Sequence, residues 1–413
     1  MAGLTITLGP IHLRETQRKH VCPNGRFSPP ATVSMKLRHW NQGAIQHFQA
    51  SRKPHANLGR VSHRARNVTV SEGGGEGTLA GLGSAIDLRS RLQDMDLALK
   101  DKGGKNAGGW ELIEGAYVRV PAGRAWGCVH FMGGAVLGAF PHIVYDAFLS
   151  RVCDEGGLMV IATPYELATD HGQLAAAAAK MRDRAFRAVA ARENYPIALP
   201  MFGVGHSLGA KLHLLLASEK DKTDNANEVV TVDRPPVYSG HVLVAFNNAS
   251  AVDTVRLLEN FARVLLQKQA AEDGGRNPMY ENILKSMPNI TMMAQRAAQM
   301  AGLEFKPNPA ATMERARTQL RTPFLKIVKF SNDDLDMNEE LVEAAGQRFK
   351  VAYPGKIEMI ELAGNHLTPV TLNLEKYLQG PMADRFAGAP KNIGDMEAVR
   401  QLADQTVRLI RTS

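Results

Sequence analysis

Short apolar runs alternate with longer amphipathic runs from about residue 110 onward. The alternation of single apolar and polar positions predicts a half-buried strand at residues 111–120, and short apolar runs predict buried strands at residues 125–131, 158–162, 201–204, 240–246, 323–330 and 356–362. Helical spacing of apolar residues predicts helices at residues 141–153, 173–193, 210–217, 339–349 and 396–411. Alternating strands and helices favour a mostly parallel central sheet with helices on both faces.

This alternation is interrupted between residues 249 and 320. The pattern there is helical, most clearly over residues 252–269, and the segment holds six of the 17 methionines. An insertion at this point would lie over the carboxyl edge of the sheet, so the sequence predicts a helical cap. Flexible thioether side chains favour an apolar acyl group as the ligand of such a cap, although methionine in helices is more often simple core.

Residues 1–70 differ from the rest of the chain in charge. They carry eleven Lys or Arg and one acidic residue, so the remainder of the chain is near neutral and the net charge of +8 gives no argument for nucleic-acid binding. An acid-poor segment with Arg, Ser and His resembles an organelle transit peptide, and a disordered basic tail is the alternative. Residues 71–109 hold ten of the 37 glycines and predict a linker with one helix at residues 86–99. We expect the α/β domain to cover residues 110–413.

Several classes of protein are disfavoured by what the chain lacks. No stretch reaches the roughly 18 uncharged apolar residues of a membrane span, so no transmembrane helix is expected. Cys22, Cys128 and Cys153 have neither the spacing of a disulfide framework nor that of a metal site. His12 and His20 belong to scattered imidazoles without regular ligand spacing, and we expect no metal and no cofactor.

Residues 199–216, LPMFGVGHSLGAKLHLLL, contain the pattern G-x-S-x-G between a predicted strand and a predicted helix. A nucleophilic serine on a sharp strand-to-helix turn needs almost no side-chain bulk two residues before and two after it, which Gly205 and Gly209 provide. The turn exposes the hydroxyl of Ser207 at the carboxyl edge of the sheet, next to the positive end of the helix. Ser207 is therefore the candidate nucleophile, whereas the side chain of His206 is expected to face into packing.

A serine hydroxyl needs a base within hydrogen-bond reach and a third group that orients the base. His366 follows the last predicted strand and is the candidate base, with helix or turn capping as its alternative. Among the acids after the preceding strand we favour Asp333, which comes three residues after it, then Asp336 and then Asp334. Capping of the helix that begins near residue 338 is the alternative for any of the three. The order Ser, acid, His is that of α/β-hydrolases.

An oxyanion formed during acyl transfer needs backbone donors. We expect them from Leu208, which follows the nucleophile, and from Gly133 and Gly134 in the loop FMGGAVLG. This loop resembles the esterase HGGG loop with Met132 where histidine often stands, and a simple tight turn is the alternative. Asp170 also follows a predicted strand, but capping of the next helix explains it, so it is not assigned to the site.

Five ordered groups of residues carry a family resemblance: 131–134, 162–165 with 170–171, 203–213, 332–333 and 364–369. Together they resemble an uncharacterised α/β-hydrolase-like family of cyanobacteria and plastids, known as a domain of unknown function, over roughly residues 110–375. The resemblance implies an α/β-hydrolase fold and, with the transit-like segment, a chloroplast location. It places Ser207 and His366 as nucleophile and base, and it implies no substrate.

The sequence therefore predicts a serine hydrolase that cleaves an ester or thioester through an acyl-enzyme on Ser207. The expected partner is a small-molecule or lipid ester, with peripheral membrane contact but no transmembrane segment and no nucleic acid. The alternative is a catalytically silent α/β-hydrolase fold that binds a lipid or a protein in the plastid, since a fold alone does not establish a function.

Overall fold

The computed structural model describes residues 90, 92–97, 109–135, 137–219, 238–256, 259, 262–263, 267, 278–373 and 392–412. These residues all belong to the second of two units, Met1–Thr69 and Val70–Ser413. The basic segment 1–70 and most of the linker 71–109 lie outside the described residues, so the transit peptide and the chloroplast location stay predictions. Of the helix predicted in the linker, residues 92–97 are described and helical, and Leu92 and Met95 are buried.

The main sheet of the described chain has eight strands: β1 (Glu111–Ile113), β2 (Ala116–Arg119), β3 (Gly127–Met132), β4 (Leu158–Ala162), β5 (Met201–His206), β6 (Tyr238–Val244), β7 (Phe324–Phe330) and β8 (Lys356–Leu362). Their spatial order is β1-β2-β4-β3-β5-β6-β7-β8. Strand β2 is antiparallel to both of its neighbours, and the pairs from β4 to β8 are parallel. This order, with a strand-to-helix serine turn after β5, is that of the α/β-hydrolase fold. A short second sheet pairs β9 (Leu372–Asn373) with β10 (Asn392–Ile393).

The helices with described bounds are α1 (Pro141–Val144), α2 (Asp146–Asp154), α3 (His171–Glu193), α4 (Leu208–Ala217), α5 (Pro278–Met300), α6 (Pro309–Thr318), α7 (Asn338–Val351) and α8 (Met396–Arg411). Side chains of β3 alternate between two sets of helices. Val129 and Phe131 belong to the core shared with α2 and α8, whereas Cys128 packs with α3 and Met132 with α3 and α4. Because successive strand residues point to opposite faces, helices cover both faces of the sheet, as the sequence predicts.

Two predicted elements are corrected. The single strand at residues 111–120 is a hairpin, because Glu114 and Gly115 adopt positive φ angles of 51° and 85° and form a two-residue turn. The apolar and polar alternation continues through both strands and conceals this turn. The predicted helix at residues 141–153 is interrupted at Tyr145, whose φ of −119° and ψ of 12° are not helical, so α1 and α2 are separate.

Between β6 and β7 the described backbone is largely helical. Residues 251–256 are helical, followed by α5 and α6, and the Asn308 side chain caps α6 by accepting from the Ala311 amide. Phe305 reaches back to the sheet edge, where its ring lies against His171 at a centroid distance of 4.2 Å. The role of residues 249–320 as a cap stays a prediction. Among the described helices, none combines the length and the apolar character that a membrane crossing requires.

Buried histidines form a polar cluster within the core. His130 on β3, His213 on α4 and His241 on β6 are each at most 1% exposed, and the ring centroids of successive pairs are 5.0 and 5.6 Å apart. His130 Nδ1 shares a hydrogen bond of 2.6 Å with the hydroxyl of Tyr238, and the guanidinium of Arg182 lies over the Tyr238 ring. Burial and then neighbouring positive charge lower the pKa of all three imidazoles, to about 3 for His241. The three imidazoles are therefore neutral in the folded protein at neutral pH.

We expect the free energy of unfolding to decrease as the pH is lowered below about 6.5. In the unfolded chain His130, His213 and His241 regain ordinary pKa values, so the unfolded state binds more protons than the folded state between the two pKa values. Each histidine then lowers the free energy of unfolding by up to about 1.4 kcal/mol for each pH unit of acidification. Urea unfolding at pH values from about 7.5 to 5.5 measures this slope, and His213→Leu should make it shallower. A free energy of unfolding that is constant over this pH range would contradict the lowered pKa values of the three histidines.

Candidate active site

Ser207 lies on a strained turn between β5 and α4. Its φ is 55° and its ψ is −118°, a backbone conformation that residues other than glycine rarely adopt. Its amide donates to the Val244 carbonyl at a distance of 3.0 Å, which holds the turn against the end of β6. The side chain therefore stands at the carboxyl edge of the parallel strands, in front of the first turn of α4, where backbone amides have no intrahelical acceptor.

The two glycines of the motif permit close backbone packing around this turn. A Cβ on Gly205 would lie 2.5 Å from the Gly209 carbonyl oxygen, and a Cβ on Gly209 would lie still closer to the carbonyl oxygen of Met132. A side chain at position 205 would push against the first turn of α4, and a side chain at position 209 would force that turn away from the end of β3 and the loop after it. The structure thus gives the physical reason for the spacing of glycine around Ser207.

Three of the predicted site residues converge at this edge of the sheet. His366 Nε2 lies 2.9 Å from Ser207 Oγ, and His366 Nδ1 lies 2.8 Å from Asp333 Oδ2. His366 follows β8, whereas Asp333 follows β7, so neighbouring strands deliver the two side chains. The Asp333 side chain is fully buried, and that of His366 is 10% exposed.

The environment of Asp333 differs from the environments of Asp334 and Asp336. Burial raises the pKa of its carboxyl, but the hydrogen bond and charge of His366 and the Leu335 amide outweigh burial, and the net pKa is lowered. Asp336 accepts from the Asn338 amide at the start of α7, and burial raises its pKa. Asp334 is exposed. The structure therefore brings Asp333 to His366 and leaves Asp336 with the capping contact that the sequence offered as its alternative.

The hydrogen-bond partners fix the proton positions on His366. An ionised Asp333 can only accept, so His366 Nδ1 carries the proton and donates it to the carboxylate. His366 Nε2 is then an acceptor, and Ser207 Oγ–H donates to it. In this tautomer the imidazole is placed to remove the Ser207 proton.

The loop after β3 lies beside Ser207. A Cβ on Gly134 would be 3.4 Å from the Ser207 Cβ, which places the Gly134 backbone against the serine. The Gly134 amide, which we expected to donate to an oxyanion, donates instead to the Tyr145 hydroxyl at 2.8 Å. The assignments of Leu208 and Gly133 to the oxyanion hole stay predictions.

His206 contacts the main chain of His366, a contact that the sequence did not indicate. Its Nε2 donates to the carbonyl oxygen of His366 at 2.8 Å, so its Nδ1 is an acceptor and receives the Tyr145 hydroxyl at 2.9 Å. Burial, and then the charge that His366 can carry, lower the pKa of His206 to about 3. This neutral imidazole links the elbow to the main chain of His366 and, through the Tyr145 hydroxyl, to the Gly134 loop. Only its position next to Ser207 could have drawn attention to it.

Asp170 and His171 have different roles. Asp170 caps α3 by accepting from the Gln173 amide at 2.9 Å, as predicted. His171, to which the sequence assigned no role, lines a small cavity beside Ser207 together with Lys211. Within the described part of the chain, no three or more His, Cys, Asp and Glu side chains are arranged to hold a metal ion.

A family model covers most of the chain that forms this site. Residues 109–383 match the family described as "Protein of unknown function (DUF1350)". The chain belongs to the DUF1350 family. The matched range agrees with the resemblance to a domain of unknown function, whereas a distribution in cyanobacteria and plastids stays a prediction. No curated protein matches the DUF1350 chain in sequence.

Solved structures similar to this DUF1350 protein are distant in sequence. The Francisella virulence factor BioJ is 12% identical, with a TM-score of 0.41, and the match covers 72% of this chain and 81% of that one. A Pyrobaculum calidifontis esterase is 13% identical, with a TM-score of 0.40 and coverage of 79% and 93%. The thioesterase domain from the curacin biosynthetic pathway is 13% identical, with a TM-score of 0.36 and coverage of 72% and 94%. Function is therefore argued from the site.

We expect Gly209→Ala to destabilise this DUF1350 protein by about 1–3 kcal/mol, because the added methyl group must displace the Met132 carbonyl. Gly346→Ala is the matched control, since a Cβ there meets no atom within 4 Å and Gly346 lies inside α7. Alanine should stabilise that helix by roughly 0.5–1 kcal/mol. Chemical unfolding measures both variants. Equal effects of the two substitutions would show that the elbow does not need its close backbone contact.

Proposed function

We propose that the protein is a serine hydrolase that cleaves an ester or a thioester through an acyl-enzyme on Ser207. The hydrogen-bonded series Ser207–His366–Asp333, with its distances of 2.9 and 2.8 Å, carries the proposal. A nucleophile, a base and a group that orients the base are the parts that acyl transfer to serine requires. The strained turn at Ser207 gives independent support, since backbone strain of this kind is concentrated at functional sites.

In the first half-reaction His366 Nε2 takes the Ser207 proton while Ser207 Oγ forms a bond to the substrate carbonyl carbon. The tetrahedral intermediate then breaks its bond to the leaving oxygen or sulfur, which receives the proton from His366. Water deprotonated by His366 attacks the acyl-enzyme in the second half-reaction, releasing a carboxylic acid and restoring Ser207. Throughout, Asp333 keeps His366 in the required tautomer and stabilises its cationic form.

Negative charge develops on the substrate oxygen in the tetrahedral intermediate and needs backbone donors. The Leu208 amide lies in the first turn of α4, where it has no intrahelical acceptor, and Leu208 lines the cavity next to Ser207. We propose Leu208 as one donor and Gly133 as the second. The Tyr145 hydroxyl holds the adjoining Gly134 amide, and this contact sets the path of the loop.

A fluorophosphonate probe tests whether Ser207 is activated. Wild-type protein should be labelled once per chain, because the probe reacts with a serine whose proton a neighbouring base can remove. Ser207→Ala should lose the label, whereas Ser150→Ala, a substitution on α2, should keep it. Intact-protein mass spectrometry counts the label. A folded wild-type protein that takes up none would contradict the hydrolase and favour the silent binding fold.

Asparagine in place of Asp333 should lower kcat for ester hydrolysis by about 10⁴, because an amide at this position favours the wrong tautomer of His366. Asp334→Asn is the matched control and should leave kcat unchanged, since Asp334 is exposed and lies one residue away. The release of para-nitrophenol from simple esters gives the rates. If the two variants lose activity equally, Asp333 is not the orienting acid.

A further inference from the structure

The space in front of Ser207 is small and closed on several sides. A cavity of about 20 Å³ lies next to the serine, with walls that include Leu167, His171, Lys211 and Phe305. Such a volume holds about one water molecule. A substrate must therefore widen this cavity, and the polar groups in its walls are the first that the substrate meets.

Lys211 is a buried cation in this wall. It lies four residues after Ser207, lines the same cavity as Ser207, and is 1% exposed. Its ammonium donates to the Pro307 carbonyl at 3.3 Å and lies 5.8 Å from the centroid of the Phe305 ring. Among the described residues no carboxylate pairs with it, and burial alone lowers its pKa to about 8. Burying a charge without a counterion costs folding free energy, so a buried cation of this kind suggests a binding role.

His171 is the second polar group in the wall. It is 1% exposed, and neither of its ring nitrogens has a hydrogen-bond partner within the described residues. Burial, and then the positive charge of Lys211, lower the pKa of His171 to about 3, so it is neutral and presents one donor and one acceptor. The nearby carboxylate of Asp170 is already bonded to the amide and side chain of Gln173. Lys211 and His171 thus provide unused donors at one cavity.

We propose that Lys211 and His171 bind an anionic group of the substrate, a carboxylate in the simplest case, while Ser207 attacks the neighbouring carbonyl. The inference rests on the proposed function, because it takes Ser207 as the nucleophile. Lys211 and His171 line the same cavity of about 20 Å³ as Ser207, so the anionic group lies only a few bonds from the reacting carbonyl. The substrate class is therefore an ester or thioester with a negative charge close to the bond that is cleaved.

Three esters of similar size test this class. Para-nitrophenyl butyrate is neutral, para-nitrophenyl hemisuccinate carries a carboxylate on the acyl side, and a butyrate ester of a hydroxy-nitrobenzoate carries it on the leaving alcohol. Wild-type protein should prefer at least one anionic ester, and the preferred ester identifies the side that Lys211 faces. Lys211→Met should lower kcat/KM for that ester by about 10- to 100-fold, the usual loss for a hydrogen bond to a charged group. The neutral ester should change by less than about 3-fold, well below that loss.

Matched variants distinguish the effect of the Lys211 charge from the effect of its packing. Lys180→Met, an exposed lysine on α3, should leave all three rates unchanged. Lys211→Gln removes the charge while keeping a polar side chain, and serves if the methionine variant does not fold. If Lys211→Met and Lys211→Gln lower the neutral and anionic rates equally, the lysine only holds the Pro307 segment and the anionic subsite is wrong.

The pH dependence of selectivity gives a second readout. Lys211 is cationic below its pKa of about 8 and neutral above it, so the ratio of anionic to neutral kcat/KM should fall as the pH rises through this value. A change in rate that is common to both esters cancels in the ratio, and His171, whose pKa is lowered to about 3, stays neutral over this range. A ratio that is flat from about pH 7 to 9.5 would overturn the subsite.

Failure of the proposed hydrolase function and failure of the anionic subsite give different experimental results. If Ser207 is not labelled and no ester is cleaved, calorimetry with succinate tests the subsite alone. Succinate binding to wild-type protein that is lost in Lys211→Met supports the anionic subsite without a hydrolase, whereas no binding overturns it. If Ser207 is labelled and esters are cleaved without a preference for charge, the hydrolase stands and the subsite fails.

Discussion

The site depends on how closely two backbone segments approach each other. The first turn of α4 lies against the end of β3 and the loop after it, and only glycine at position 209 leaves room for this contact, while glycine at position 205 leaves room for the turn itself. The contact holds Ser207 in its strained conformation and brings the Gly134 backbone to its side. A side chain can rotate away from a crowded position, but a backbone carbonyl fixed in a sheet cannot, so this constraint is steric and strict. The positions of His366 and Asp333 relative to Ser207 depend on this steric constraint.

His206 and His366 are neighbouring imidazoles whose different environments give them different properties. His206 is buried and bonded at both nitrogens, so it remains neutral and serves to position other groups. His366 faces a carboxylate on one side and a hydroxyl on the other, so it can exchange a proton. Hydrogen-bond partners, rather than residue type, decide which histidine is placed to accept a proton from Ser207. The same principle separates Asp333, which meets an imidazole, from Asp336, which meets a backbone amide.

Features that depend on local chemistry were predictable from the sequence. The boundaries of β4 and β8, the glycines of the elbow, and the preference for Asp333 follow from apolar runs, steric demands and distance from a strand end. The hairpin at Glu114 was missed because alternation continues across it. His206 and Lys211 were missed because their partners lie far along the chain, 160 residues away for the His366 carbonyl and 96 for Pro307. Such contacts arise from packing, and neither periodicity nor motif spacing encodes them.

The hydrogen bond between His206 and the His366 carbonyl has a consequence for how specificity can change. It ties the main chain of His366 to the residue next to Ser207, which fixes the separation of these two residues. The segment between β6 and β7 contributes Phe305 to the cavity wall and has no part in this bond. A change in this segment would therefore alter the wall of the cavity while leaving the hydrogen bonds among Ser207, His366 and Asp333 in place.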